Sequence, residues 1–301
     1  MGSDAGGLSK SQELASIPEA PDSAGRCYDS VMPTAPPALF VAWRDPGSHR
    51  IFAVGRLLRI SQPFDGYEFA YIQGAIDAAA VGFVPFLAFP DLGEVYRSSE
   101  LPPFFKNRVL SPSRPDYGEY VETLALDPAT ADPVTILAIS GGGRATDKIE
   151  VFPDLVRDAE TGQVGTRFLV RGVQYVPGAE EHIVRLEVGE RLFCMLDVQN
   201  PVNPEAIALR TAKQEVVGFL PDYLAKDVHL LLKEDPELLV RVERINLPPA
   251  PRHHRLLCSL KARAGQAVSG YGAETFRPIS PNATHLVDTA PTPEPPMVAS
   301  G

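Results

Sequence analysis

Cysteine is nearly absent from this sequence. Cys27, Cys194 and Cys258 are the only three in 301 residues, and no two form a Cys-x-x-Cys pair. So sparse and odd a set excludes a disulfide framework and fits a reducing compartment. Cys194 and Cys258 lie in apolar runs and are expected as small core residues. Long apolar stretches are missing too. The longest, "AAAVGFVPFLAFP" at 78–90, is too short to span a bilayer and contains Pro85. The N-terminus has no basic start and no apolar stretch, so no signal peptide is read there. The expectation is a cytoplasmic protein with no membrane partner, in which the sequon at Asn282 has no meaning. Positive charge is also short: 28 Lys+Arg face 38 Asp+Glu, for a net −10. That argues against a chain built as a whole to bind a phosphate backbone. The deficit is uneven, however. Residues 164–263 carry 14 Lys+Arg against 13 Asp+Glu, and the rest of the chain 14 against 25. Nucleic acid is therefore not excluded for that near-neutral segment.

Proline is abundant instead, at 30 residues, about twice the usual share. Much of it falls in two tails, 1–37 and 278–301, whose Ser, Ala, Gly, Pro and acidic residues cannot bury enough apolar surface to offset ordering entropy. Both tails are expected to be disordered. Between them the pattern predicts an α+β protein: a small α/β domain at 38–155, then a small β-barrel with a helix at 166–263. "ALFVAWRDPGSHRIFAVGRLLRI" reads as a hairpin turning at Asp45-Pro46-Gly47, and "YEFAYI" as a further strand. A helix is expected over "SRPDYGEYVETLAL", with Ser113 as a cap. A second is expected over "DPVTILAISGGG", with Asp132 as N-cap, Pro133 at the first helical position and Gly141 as the stop. "DKIEVF" closes the unit, and "PDLVRDAETGQVGTR" reads as a linker. Six short strands follow, at "RFLVRGVQYV", "RLFCML", "AIALR", "EVVGFL", "LVRVERI" and "HRLLCSLKA". A helix at "PDYLAKDVHLLLKE" has Asp222 in its first turn.

Few residues suggest catalysis. "ISGGGRATD" has the glycines of a phosphate loop, but they follow a helix and precede a strand, so a helix stop is the reading. His253, His254 and Cys258 could ligate a metal, yet no second ligand pair sits at zinc spacing. No Gly-x-Ser-x-Gly elbow and no His-Glu-x-x-His occurs. Glu180-Glu181 reads as a solvated loop. Arg241, Arg244, Arg252, Arg255, Lys261 and Arg263 read as a loose rim, because Arg241 and Arg244 differ in strand parity. No enzyme activity, cofactor or metal is expected.

One segment carries more. "DVQNPVNPEAIALR" holds two Asn-Pro turn signals three residues apart before a strand. With "FLVRGVQYVPG" and "LEVGERLFCML" before it and "VVGFLPDYLAKDV" after it, this order resembles the HIRAN domain. That is a small β-barrel with helices, found in DNA-repair translocases and in stand-alone bacterial proteins. In its DNA-binding members a pocket takes the 3′-hydroxyl end of single-stranded DNA; aromatic side chains stack the terminal bases and an acid accepts from the hydroxyl. The resemblance implies that Tyr175 is the first-strand tyrosine. Asn200 and Pro201 frame the turn, Val202 stands where a second aromatic belongs, and Asn203 where the acid belongs. Gln174 and Phe219 complete the implied nucleic-acid interface, and Asp222 falls near a position that is often basic. Val202 cannot stack a base, and Asn203 accepts without charge assistance.

The earlier unit has its own likeness. "VGRL", "FAY", "LPPFFKNRVL", "DPVTIL" and "DKIEVFP" follow the order of the N-terminal subdomain of HipA-type toxin kinases, without a kinase domain behind it. The expected function is a non-enzymatic adaptor that binds nucleic acid at a DNA end or single strand. The alternative is a protein-interaction module of a HipA-type toxin–antitoxin or stress system in which DNA binding is lost.

Overall fold

A computed structural model describes residues 38–61, 65–144, 147–157, 161–263 and 274–284. The tail at 1–37 and the part of the other tail at 285–301 lie outside these residues. The first half is an antiparallel sheet. β1 (Ala38–Arg44) and β2 (Ile51–Ile60) form the expected hairpin, followed by β3 (Gly66–Tyr71). After α1 (Gly74–Ala79), β4 (Val95–Ser98) adds to one edge. Helices α2 (Pro103–Lys106), α3 (Tyr117–Thr123) and α4 (Pro133–Ser140) then lead to β5 (Ile149–Pro153) on the other edge, giving the order β4-β3-β2-β1-β5. Every pairing is antiparallel, so this half is α+β rather than α/β; β5 returns beside β1 with reversed sense. The α4 caps are as the sequence implies: Asp132 accepts from the Thr135 N–H at 3.0 Å, and Gly141 ends the helix in the left-handed region. Ser113 is not the α3 cap; its hydroxyl pairs with Ser111, and the helix starts later, after Asp116.

The second half is a seven-stranded sheet. Its elements are β6 (Val156–Arg157), β7 (Gln163–Leu169), α5 (Ala179–Val184), β8 (Arg191–Leu196), β9 (Ile207–Arg210), β10 (Val216–Phe219), α6 (Asp222–Glu234), β11 (Leu239–Ile245) and β12 (Leu256–Arg263). The strand order is β10-β9-β8-β11-β12-β7-β6. β6 and the start of β7 occupy part of the expected linker. The expected barrel is not closed. The sheet curls until β10 meets the chain just past β7, but a single bridge, Arg171 with Phe219, joins them. Closure fails there because the chain leaves the strand at Gly172, whose φ is +68°, so no ladder can continue. The core within the curl is apolar, and α6 inserts Leu224, Val228 and Leu231 from one face.

The two sheets share buried surfaces. Val121, Leu124, Ile136 and Ile139 pack on Leu169 and Leu257. On β1 successive residues face opposite ways: Leu39 and Val41 enter the first sheet's own core, while Phe40 and Ala42 belong to a second cluster with Phe152. Tyr223 of α6 stacks on Phe152, with ring centroids 4.8 Å apart. Asn246 donates to the carbonyls of Thr123 (2.8 Å) and His254 (2.7 Å), a buried polar tie between the halves. Residues 278–284, expected as disordered tail, are instead a strap on the first sheet. Ile279 N–H donates to the Tyr71 carbonyl at 3.0 Å, and Thr284 donates to Glu68 from N–H and hydroxyl at 2.8 Å each. The strap helps satisfy the buried Glu68, which also pairs with Arg97 at 2.9 Å. Composition cannot reveal such a partner. Among the described residues, no helix is long and apolar enough to cross a membrane.

Candidate nucleic-acid interface

The site begins where the curled sheet nearly closes. Arg171 and Phe219 exchange both backbone hydrogen bonds, at 2.9 and 2.8 Å. Glycine is required for that approach. A Cβ on Gly218, whose φ is +145°, would lie 2.5 Å from Val170 Cγ1 and 2.7 Å from the Arg171 carbonyl oxygen. Beyond Gly172 the chain enters a 3-10 turn at Val173–Tyr175. Tyr175 is therefore not on the first strand as expected. The turn buries Val173 in the core and leaves Tyr175 79% exposed. A strand at this position would have given neighbouring residues opposite faces; the tight turn instead projects both Gln174 and Tyr175 outward.

The doubled Asn-Pro segment is a closed hydrogen-bonded turn. Asn200 Oδ1 accepts from the N–H groups of Val202 (3.0 Å) and Asn203 (3.1 Å), while its Nδ2 donates to Asp197 at 3.0 Å. Asn203 Oδ1 accepts from the Glu205 N–H at 2.9 Å, and its Nδ2 donates to Asp222 at 3.1 Å. The Asn200 amide is thus used within the turn, and the Asn203 amide ties the turn to α6. Val202, held between them, is 66% exposed. Asp222 accepts from Arg44 as well, at 3.0 Å, so its charge is compensated by a cation from β1.

These pieces border a cavity of about 1270 Å³. Tyr175, Asn200, Pro201, Val202, Asn203 and Phe219 all line it; Gln174 does not. The opposite wall comes from the first half of the chain, through Arg44, Arg108, Lys148 and the turn at Gly142–Arg144. Five Lys and Arg and four Asp and Glu side chains face the space. Three of the cations are neutralised in place. Arg44 pairs with Asp222, Arg108 with Asp147 at 2.5 Å, and Arg171 with Glu150. Asp197 is held by an amide, not by a cation.

His253 and His254 also border the cavity. The Thr123 hydroxyl donates to the Tyr120 carbonyl at 2.6 Å and meets His254 Nδ1 at 2.9 Å. With its one proton so used, the hydroxyl accepts from Nδ1–H. Burial first, and then His253 and Arg171, push the His254 ring down to about 4, so it is neutral at pH 7. Cys258 lies away from both, in the core on β12, where burial pushes its thiol up. Among the described residues no group of three His, Cys, Asp or Glu is placed to hold a metal.

The late basic residues do not form one patch. Arg252 and Arg255 both pair with Glu180, at 2.7 and 3.5 Å, and Arg241 donates to the Gly189 carbonyl at 2.9 Å. Glu180 is on α5 rather than in a solvated loop. The wall residues that sequence reading does not find are Arg44, Arg108, Arg144, Lys148 and Asp197. The first four belong to the other half of the chain, and no local signal marks them. Asp197 stands three residues before Asn200, a spacing that turn chemistry could have flagged.

The HIRAN domain family model matches residues 165–262, in agreement with the resemblance read at 166–263. Two solved structures are similar to parts of the chain. The HIRAN domain of human HLTF shares 18% identity, over 40% of this chain and 98% of that one, with a TM-score of 0.28. A structural-genomics protein from Lactobacillus plantarum shares 18% identity, over 34% and 97%, with a TM-score of 0.27. No curated protein matches the chain.

Proposed function

We propose that this protein is a non-enzymatic adaptor that takes the 3′ end of a DNA single strand into the cavity between its two sheets. The observation that carries this reading is Tyr175. A tyrosine ring 79% exposed at the edge of a large cavity is a stacking platform for a base. The HIRAN match over 165–262 points the same way, because that resemblance implies 3′-end binding. The size supports it too: about 1270 Å³ exceeds the roughly 300–1,000 Å³ of ordinary small-molecule sites and suits a short oligomer. Val202 and Pro201 add an apolar rim. The terminal hydroxyl is accepted by Asp197, since Asn203 is spent on Asp222 and Glu205. The other carboxylates of the wall are matched by cations, which supports binding over catalysis.

The test is fluorescence anisotropy of the full chain with a single-stranded deoxythymidine oligomer, its 3′ end either free or blocked by phosphate. The free end binds more tightly, and Tyr175→Ala weakens it by about 1–3 kcal/mol. No binding at low salt, or binding indifferent both to the blocked end and to Tyr175→Ala, would overturn the proposal. Capture of a stable protein partner by a chain without affinity for the oligomer would favour the protein-interaction reading instead.

A further inference from the structure

The cavity wall divides by chemistry as well as by origin. The half containing the HIRAN match supplies Tyr175, the 200–203 turn and Phe219. The first half of the chain supplies most of the cations. Of the five, Arg44, Arg108 and Arg171 are each matched to a carboxylate. Arg144 and Lys148 are exposed and have no carboxylate within ion-pair distance among the described residues. They stand four positions apart between α4 and β5.

Lys148 is tied through its backbone and Arg144 through its side chain. The Lys148 carbonyl accepts from the Arg44 N–H at 2.8 Å, which ties it to the end of β1. The Arg144 guanidinium reaches the Asn107 carbonyl through one Nη and keeps its remaining N–H groups. A charge in the last turn of α4 could serve the helix dipole, but Arg144 stands four positions past Ser140, the last residue of the helix. Lys148 lies beyond the last turn, where the dipole no longer reaches. In a chain of net charge −10, two unmatched cations on one cavity wall call for an anion.

We infer that the first half of the chain supplies the phosphate-binding wall of the site: Arg144 and Lys148 take the phosphodiesters of the strand whose terminal base stacks on Tyr175. This rests on the proposed DNA-end binding and adds to it a contribution from outside the family match. It also explains how a near-neutral HIRAN-like half could hold a polyanion. Those cations come from the first half of the chain, across a junction that the Arg44–Asp222 and Arg171–Glu150 pairs bridge.

The experiment measures the salt dependence of anisotropy with the same free-ended deoxythymidine oligomer and full-length protein. The double variant Arg144→Gln, Lys148→Gln is compared with Tyr175→Ala and with the unaltered chain. Both altered positions are exposed, so the melting temperature should be unchanged, and circular dichroism checks this. In the double variant affinity at low salt falls by roughly tenfold and the log–log salt slope flattens by about 1.4, near 0.7 for each phosphate no longer neutralised. Tyr175→Ala weakens binding with its slope intact. If the unaltered chain and Tyr175→Ala behave as proposed but the double variant keeps both affinity and slope, the phosphate wall is refuted while end binding stands. If the unaltered chain does not bind, both fall.

Discussion

Asp227 of α6 should weaken the fold as pH rises. It is buried on a helix face beside Leu224 and Val228, and burial pushes its carboxyl up to about 7. Asp154, between β5 and β6, is likewise pushed up to about 7, by burial first and by Asp227 in addition. A folded-state pKa above the unfolded 3.8 means that the folded chain binds the proton more tightly. The resulting stability is fully present below about pH 4 and is lost as pH rises through about 7. Integrating between pH 5 and 8, one such carboxyl costs about 2–3 kcal/mol. Asp227→Asn removes that titration and keeps the shape. Urea unfolding at pH 5 and pH 8 measures it. The stability of Asp227→Asn relative to the unaltered chain should rise by about 2–3 kcal/mol from the lower to the higher pH. Subtracting one chain from the other cancels most other titrations, including that of His254, whose depressed pKa works in the opposite sense by favouring the fold as pH rises from about 4 to 6.5. A relative stability equal at both pH values would refute the buried-acid argument, even if the substitution stabilised the protein.

Two other substitutions probe the site. Gly218→Ala places a Cβ against Val170 and the Arg171 carbonyl in a backbone conformation that L residues rarely adopt. It should cost about 2–4 kcal/mol and deprotect the Phe219 and Arg171 amides in hydrogen exchange; retained protection would show that the approach of the sheet ends does not require glycine at position 218. Asp222→Asn keeps an acceptor for Asn203 but releases Arg44. Stability should change by less than about 1 kcal/mol, because the pair is a third exposed. The oligomer salt slope should steepen by about 0.7 as Arg44 becomes available to a further phosphate; an unchanged slope would exclude Arg44 from the ligand's path.

Much of the fold is legible in the sequence because it depends on nearest neighbours. The hairpin around Asp45–Gly47, the α4 caps at Asp132 and Gly141, and α6 all rest on turn, capping and periodicity rules within a dozen residues. Tyr175 falls off the expected strand because a valine-rich run reads as one strand, whereas Gly172, in the left-handed region, breaks it. A Cβ at that position would also come within 2.9 Å of the Phe219 ring. The strap at 278–284 escapes sequence reading because its stability comes from Glu68, more than 200 residues away.

The amino-acid sequence by itself determined that residues 166–263 resemble a HIRAN domain and that the doubled Asn-Pro segment is a turn, in which that resemblance implies departures at Val202 and Asn203. Only the tertiary structure decided what those departures mean. Asn203 is bound to Asp222, Asp222 to Arg44, and Arg144 and Lys148, without a carboxylate partner among the described residues, line the same cavity from the first half of the chain. Charge matching is a property of distance in space. The two sides of this cavity lie far apart along the chain, so composition could report the total charge but not which charges remain unmatched.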